Sequence, residues 1–251
     1  MPFLDHLEEL RWRILKVLVA LMVAFGISFW ICTSGRVDVF ALLTSPIQPY
    51  LHGQPLYVTH VVDKFTILLQ IAGGLGIVLA SPVIAYQVWA FLSPALTTRE
   101  RRVIIPVLVA AAALFLCGVA LSVFLFIPVT MGLMEQIRTT AIAPLYTASE
   151  YFGFLFAVSL AFGAMFELPI LILALTALGL ITPRFLTKYR RHAIVATLIV
   201  CEIITPGDFI ISTLMLWIPV YGLYELSILV AWLVYRARQR REAATIGSEI
   251  P

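Results

Sequence analysis

Charged residues are scarce in this chain, and their scarcity decides its class. Asp, Glu, Lys and Arg make up 12% of the 251 residues, against about 25% in soluble domains. Mean hydropathy is +1.00 and 61% of residues are hydrophobic, so the sequence describes an integral membrane protein. Cysteine is equally sparse. Cys32, Cys117 and Cys201 each lie inside an apolar run and none belongs to a Cys-x-x-Cys pair, which excludes a disulfide framework and a zinc site of that type. Also missing are a glycine-rich phosphate loop, a His-Glu-x-x-His and a Gly-x-Ser-x-Gly. His6, His52, His60 and His192 lie outside the long apolar runs or at their edges. No nucleophile with a base is placed for intramembrane proteolysis, and nothing would bind a nucleotide to drive a pump. The chain reads as a non-enzyme with no cofactor.

What is present is a series of six apolar segments, at about Val17–Ile31, Phe65–Phe91, Val103–Ile127, Tyr151–Leu178, Ala193–Thr205 and Ile210–Tyr235. About 20 apolar residues carry a helix across the hydrocarbon core, and only helices or closed barrels satisfy their backbones there. These runs are too long for barrel strands. The expectation is an all-α membrane protein, six transmembrane helices in a kinked, concave bundle. Its single membrane domain is expected over residues 1–235, beginning with an amphipathic segment over 1–16, and a short cytoplasmic tail over 236–251. Pro82, Pro169 and Pro219 fall inside helices and are expected to kink them.

Lysine and arginine set the orientation. With both termini in the cytoplasm, Arg11, Arg13, Lys16, Arg99, Arg101, Arg102, Arg184, Lys188, Arg190, Arg191, Arg236, Arg238, Arg240 and Arg241 fall inside. Only Arg36, Lys64 and Arg138 fall outside, the bias of a multi-pass protein with N-in and C-in topology. A cleaved signal peptide ending at "CTSG" is the alternative for the first run, but its flank "MPFLDHLEELRWR" is rich in acid. The fifth segment is short. Between Arg191 and Asp208 there are too few residues to span about 30 Å, so the turn "TPGD" lies below the outer surface or the bilayer thins around it.

Acids occupy unusual places. Glu167 lies near the middle of the fourth run, where an ionised carboxylate costs about 3 kcal/mol; it is either a protonated side chain bonded to a neighbour or a polar contact for substrate or a partner helix. Glu225 in "YGLYELS" poses the same choice, and Glu202, just before the "TP" turn, reaches toward the wet corner of the short fifth run. Near the N-terminus, Leu4, Leu7, Ile14 and Leu15 recur at helical spacing. Asp5 and Glu9 share another face, a like-charge pair that a cation would relieve, and Glu9 also stands four residues before Arg13. In "SPALTTRERR", Thr97 and Glu100 have the form of a capping box, while Arg99, Arg101 and Arg102 anchor the topology. Glu9 and Glu100 both fall at the cytoplasmic surface. Two carboxylates facing one site would suit a pair of guanidinium groups.

Five blocks in order, "HLEELRWR" at His6–Arg13, "SPVIAYQVWAFLSPAL" at Ser81–Leu96, "RERR" at Arg99–Arg102, "FGAMFELP" at Phe162–Pro169 and "ITPGD" at Ile204–Asp208, resemble the C subunit of the twin-arginine protein translocase. The resemblance runs from about Met1 to the sixth segment. It implies a signal-peptide receptor and core subunit that exports folded precursor proteins across the cytoplasmic (inner) membrane using the proton gradient. Its arginine-recognising acids fall on Glu9 and Glu100, with Arg11, Arg13, Phe91, Pro94 and Arg101 around the same site. The family's intramembrane glutamate falls on Glu167, its external acid on Asp208, and Pro46 in "SPIQ" matches its first external loop. "TPGD" departs from the usual double-proline or alanine-proline turn, and Glu202 has no counterpart in the pattern.

The partners so implied are twin-arginine signal peptides, single-span A-type and B-type subunits, other copies of the chain and membrane lipid, with no nucleic acid. Two other functions share the gross features. A small-molecule secondary transporter would also carry buried acids and kinked helices, but such folds usually contain internal repeats, and the first and last three runs are not alike. A membrane scaffold for single-span partners would need Glu167 for assembly alone.

Overall fold

A computed structural model describes residues 3–92, 104–136, 145–177, 179–204 and 210–248. Apart from turns and one isolated bridge, they are helical. The helices are α1 (Phe3–Ser34), α2 (Val39–Thr44), α3 (Asp63–Leu92), α4 (Ile104–Leu121), α5 (Ile127–Gln136), α6 (Ala148–Phe166), α7 (Leu168–Ala177), α8 (Pro183–Lys188), α9 (Arg190–Ile204) and α10 (Ile210–Ser248), with a 3₁₀ turn at Gln48–Tyr50 and a π-helical turn at Ser122–Phe126. Five segments, Leu7–Ser34, Asp63–Phe91, Ile105–Gln136, Ala148–Ala177 and Ile210–Arg236, are long and apolar enough to cross a membrane. The fifth apolar run of the sequence becomes α9, whose 15 residues rise only about 22 Å. The N-terminal amphipathic stretch is not set off from the first span; α1 continues through both for 32 residues. Likewise α10 runs on past the apolar residues to Ser248.

The three prolines behave differently. Pro169 coincides with a one-residue interruption at Glu167, between α6 and α7, because proline has no amide for the carbonyl of Met165. Helices α3 and α10 run on through Pro82 and Pro219. At Pro82 the amide missing from the carbonyl of Val78 is replaced by the Ser81 hydroxyl, which donates to that oxygen at 2.8 Å. A neighbouring hydroxyl is one of the ways a membrane helix tolerates proline.

The chain divides into two compact units, Met1–Phe91 with Ala112–Ala164, and Leu92–Ala111 with Met165–Pro251. In the first unit the core is built on α6. Phe152, Leu155, Val158 and Phe162 are buried along one helical face, and the Phe162 ring meets Phe126 with centroids 5.0 Å apart. Two pairings of polar atoms stand out inside this core. Ser122 and Ser159 hydroxyls lie 3.2 Å apart, and Tyr151 donates its hydroxyl to the Leu43 carbonyl at 2.6 Å. Glycine permits the closest approach: a Cβ on Gly74 would sit 2.0 Å from the Phe156 ring. The chain entering α6 is tied to the earlier loop by reciprocal backbone bonds, Tyr57 N–H to Tyr146 (3.0 Å) and Ala148 N–H to Tyr57 (2.8 Å).

In the second unit α10 packs against α7, α8 and α9. Ile172, Leu186, Tyr224, Ile228 and Ala231 form its buried cluster, and Tyr224 donates its hydroxyl to the Leu186 carbonyl at 2.9 Å. Helices α9 and α10 are antiparallel, and side-chain contacts join them along their length. Arg190 donates to Glu225 at 2.7 Å, Trp217 to Thr197 at 3.0 Å and Thr213 to Glu202 at 2.8 Å. The four α10 positions 213, 217, 221 and 225 repeat every fourth residue, so one stripe of the helix carries every polar group that faces α9 in these contacts.

Candidate functional site

The acid at the start of the first unit is already in contact with a guanidinium. Arg13 donates to Oε1 of Glu9 from Nε at 3.0 Å and again from Nη2. Its Nη1 approaches Oε1 of Gln87 on α3 at 3.5 Å, at the outer limit for a hydrogen bond. The Glu9–Arg13 spacing places both side chains on one helical face, and Gln87 belongs to the "SPVIAYQVWAFLSPAL" block. Two of the five blocks thus meet through one arginine. Glu9 is 28% exposed and Arg13 18%, so the pair is shielded more than an ordinary surface ion pair. Arg11 is exposed and Phe91 is partly buried at the end of α3. Pro94, Glu100 and Arg101 lie outside the described residues, as does Asp208.

Pro46 is buried between α2 and the 3₁₀ turn, next to the fully buried Ile47. It belongs to the same loop whose Leu43 carbonyl accepts from Tyr151, so its position is fixed by the core of the first unit. In the second unit, Glu167 is partly buried at the interruption between α6 and α7. A carboxylate there stands beside a helix end rather than within a continuous helix.

The other two candidate acids have partners within the α9–α10 pair. Glu202 is exposed and accepts from the Thr213 hydroxyl. Glu225 accepts from Arg190 with one oxygen and from the Tyr221 hydroxyl with the other at 2.7 Å. Arg190 enters the sequence reading only as a topological anchor, and its pairing with Glu225 is a new function for it. Trp217, Tyr221 and Thr197 are likewise absent from that reading. Their signal was the four-residue repeat Thr213, Trp217, Tyr221, Glu225, in which only the last residue is charged.

Three kinds of comparison bear on the chain. The family model described as Sec-independent protein translocase protein (TatC) matches residues 5–219. A relative from Bacillus subtilis (strain 168), Sec-independent protein translocase protein TatCy, is 35% identical over 97% of this chain and 94% of its own. Sec-independent protein translocase protein TatC from Escherichia coli (strain K12) is 32% identical over 96% and 92% respectively. A crystal structure of the twin arginine translocase receptor TatC matches with a TM-score of 0.78 and 31% identity, covering 92% of this chain and 99% of that one.

Proposed function

We propose that this chain, which belongs to the TatC family of Sec-independent protein translocase proteins, is the subunit that receives twin-arginine signal peptides and passes their folded cargo across the cytoplasmic (inner) membrane using the proton gradient. Its relatives are protein translocase components, so its work is transport by assembly with other subunits. The observation that carries the receptor reading is the Glu9–Arg13 contact: a carboxylate in a partly shielded site already seats a guanidinium. A charge-assisted bond of this kind contributes about 1.5–3 kcal/mol whichever arginine supplies it, so a signal-peptide arginine exchanges with Arg13 for Glu9. Glu100 supplies the second carboxylate, and Arg11, Arg13, Arg101, Phe91 and Pro94 surround the bound peptide. Both termini face the cytoplasm. Single-span A-type subunits, often joined in this family by a B-type one, and further copies of the chain complete the complex, with Glu167 contacting a partner helix within the membrane and Asp208 and Pro46 acting on the outer side. Glu202 and Glu225 hold α9 to α10, which is what their contacts support.

The test is the affinity of the purified protein, in nanodiscs, for a twin-arginine peptide. Glu100→Gln keeps shape and capping ability but loses the charge, and is expected to weaken binding about tenfold or more, since 1.4 kcal/mol is one decade. Glu9→Gln combined with Glu100→Gln is expected to cost less than the sum of the two, because one arginine pair engages both acids. A lysine-pair peptide binds less well, an ammonium lacking the planar fork. Unchanged affinity in Glu100→Gln returns the "TTRERR" segment to an anchor and a helix cap.

A further inference from the structure

An open groove of about 720 Å³ runs along α10 in the second unit. One face of that helix makes most of its wall, and Thr187 and Arg190 line it as well. Gly222, Leu226, Leu229, Leu233 and Arg236 line it at alternating steps of four and three residues, the spacing of a continuous helical face. The three leucines are 45%, 57% and 61% exposed. From Gly222 to Arg236 the helix rises about 21 Å, close to the depth of one leaflet with its headgroups, about 20–22 Å. The two ends differ. At the Gly222 end, Arg190 and Tyr221 both bond the Glu225 carboxylate, so that acid is answered where it stands. At the other end the Arg236 guanidinium lies over the Trp232 ring, 5.0 Å from its centroid. Arg236 is about 16 Å along the helix from Glu225, beyond the screening length of about 8 Å. Its charge is therefore not neutralised by the groove's carboxylate. In the sequence Arg238, Arg240 and Arg241 follow at once, a basic cluster at the end of a span such as attracts anionic lipid.

We propose that this groove is a binding site for one phospholipid with a net-negative headgroup. Its acyl chains lie along Leu226, Leu229 and Leu233, and its phosphate pairs with the Arg236 guanidinium, which Trp232 holds in place at the membrane surface. A single-span protein helix would use the leucines but would leave Arg236 without an anion. A free phosphate would use Arg236 but not the leucines. The amphiphile uses both.

The test is native mass spectrometry of the full chain, released from detergent after incubation with equal amounts of phosphatidylglycerol and phosphatidylcholine of identical acyl chains. At least a threefold excess of phosphatidylglycerol adducts is expected. Arg236→Gln is expected to abolish that excess, Arg236→Lys to restore part of it, and Arg184→Gln, an exposed cation outside the groove, to leave it intact. A thermal unfolding scan confirms that each variant is folded. Equal adducts in the parent, an unchanged preference in Arg236→Gln, or an equal loss in Arg184→Gln would each overturn the proposal. Displacement of the lipid by glycerol phosphate at equal concentration would reduce the site to an anion site and overturn the two-part groove. Disulfide trapping of Leu229→Cys to another polypeptide in intact membranes, with no capture of a photoactivatable lipid, would assign the groove to a protein helix and overturn it as well.

Discussion

Removing the charge of Glu225 tests the contact that joins α9 to α10. Both oxygens of this carboxylate are used, by Arg190 and by Tyr221. Arg190 and Glu225 are 47% and 34% exposed, so the ion pair itself belongs near the top of the surface range, about 1 kcal/mol, and not at the value of a buried pair. The tyrosine bond to a charged acceptor adds about 1 kcal/mol after the same discount for solvent. Glu225→Gln is therefore expected to cost about 1.5–2 kcal/mol, a fall in Tm of about 3–8 °C for a chain of this size. Arg190→Gln loses only the pair, about 1 kcal/mol, for a fall of about 2–4 °C. The combined variant is expected to be less destabilised than the sum by about 1 kcal/mol, the coupling that a direct contact produces. The assay is thermal unfolding of the purified protein in one detergent at low and at high salt, with the coupling shrinking as salt rises. Additive losses, or a neutral Glu225→Gln, would refute the reasoning, because either result means the two side chains do not hold each other.

Gly73 and Gly74 are neighbours with opposite surroundings, since a Cβ at Gly73 meets nothing within 4 Å while one at Gly74 runs into the Phe156 ring. Gly73→Ala is expected to be neutral or mildly stabilising through helix propensity, and Gly74→Ala to cost about 1–3 kcal/mol from overpacking, measured by thermal unfolding; equal effects would contradict the packing of α3 on α6. Glu167→Ala is expected to retain twin-arginine peptide affinity while export of a folded reporter falls or its crosslinks to single-span partners change. Loss of peptide binding with the fold intact would merge two roles assigned to separate places. Reporter fusions after Arg191 and after Arg236 are expected to read cytoplasmic and those near His52 and Arg138 external, and an external reading from the tail would end the N-in, C-in topology.

Five of the spans were legible because lipid demands long apolar runs, and five helical segments among the described residues are long and apolar enough to cross, while the remaining run falls on the 15-residue α9. Their ends were less so. Residues such as Arg, Gln, Glu and Ala extend a helix as readily as apolar ones, so α10 runs on through "RARQRREAATIGS" although hydropathy falls sharply at Arg236. Glu9 with Arg13 was readable because four residues separate them. Arg190 with Glu225 was not, because 35 residues separate them and only the register of the helix pair brings them together. The stripe at positions 213, 217, 221 and 225 lay in plain view as a periodicity. It is hidden from a search for charge, since a tryptophan, a tyrosine and a threonine carry most of it.

The π-helical turn at Ser122–Phe126 has a bearing on how the third span is allowed to vary. A π turn accommodates one residue more than an α turn before the chain returns to the same face. It sits where Ser122 meets Ser159 and where Phe126 meets Phe162. Each residue of an α-helix advances the azimuth by about 100°. Deleting a single residue from this turn would restore the regular ladder with α5 still on its present face, whereas deleting one from α4 would swing α5 round by that angle and carry Ile127 and Thr130, now buried, toward the lipid. The span is thus counted in phase as well as in length, and the bulge is the place where its phase is set.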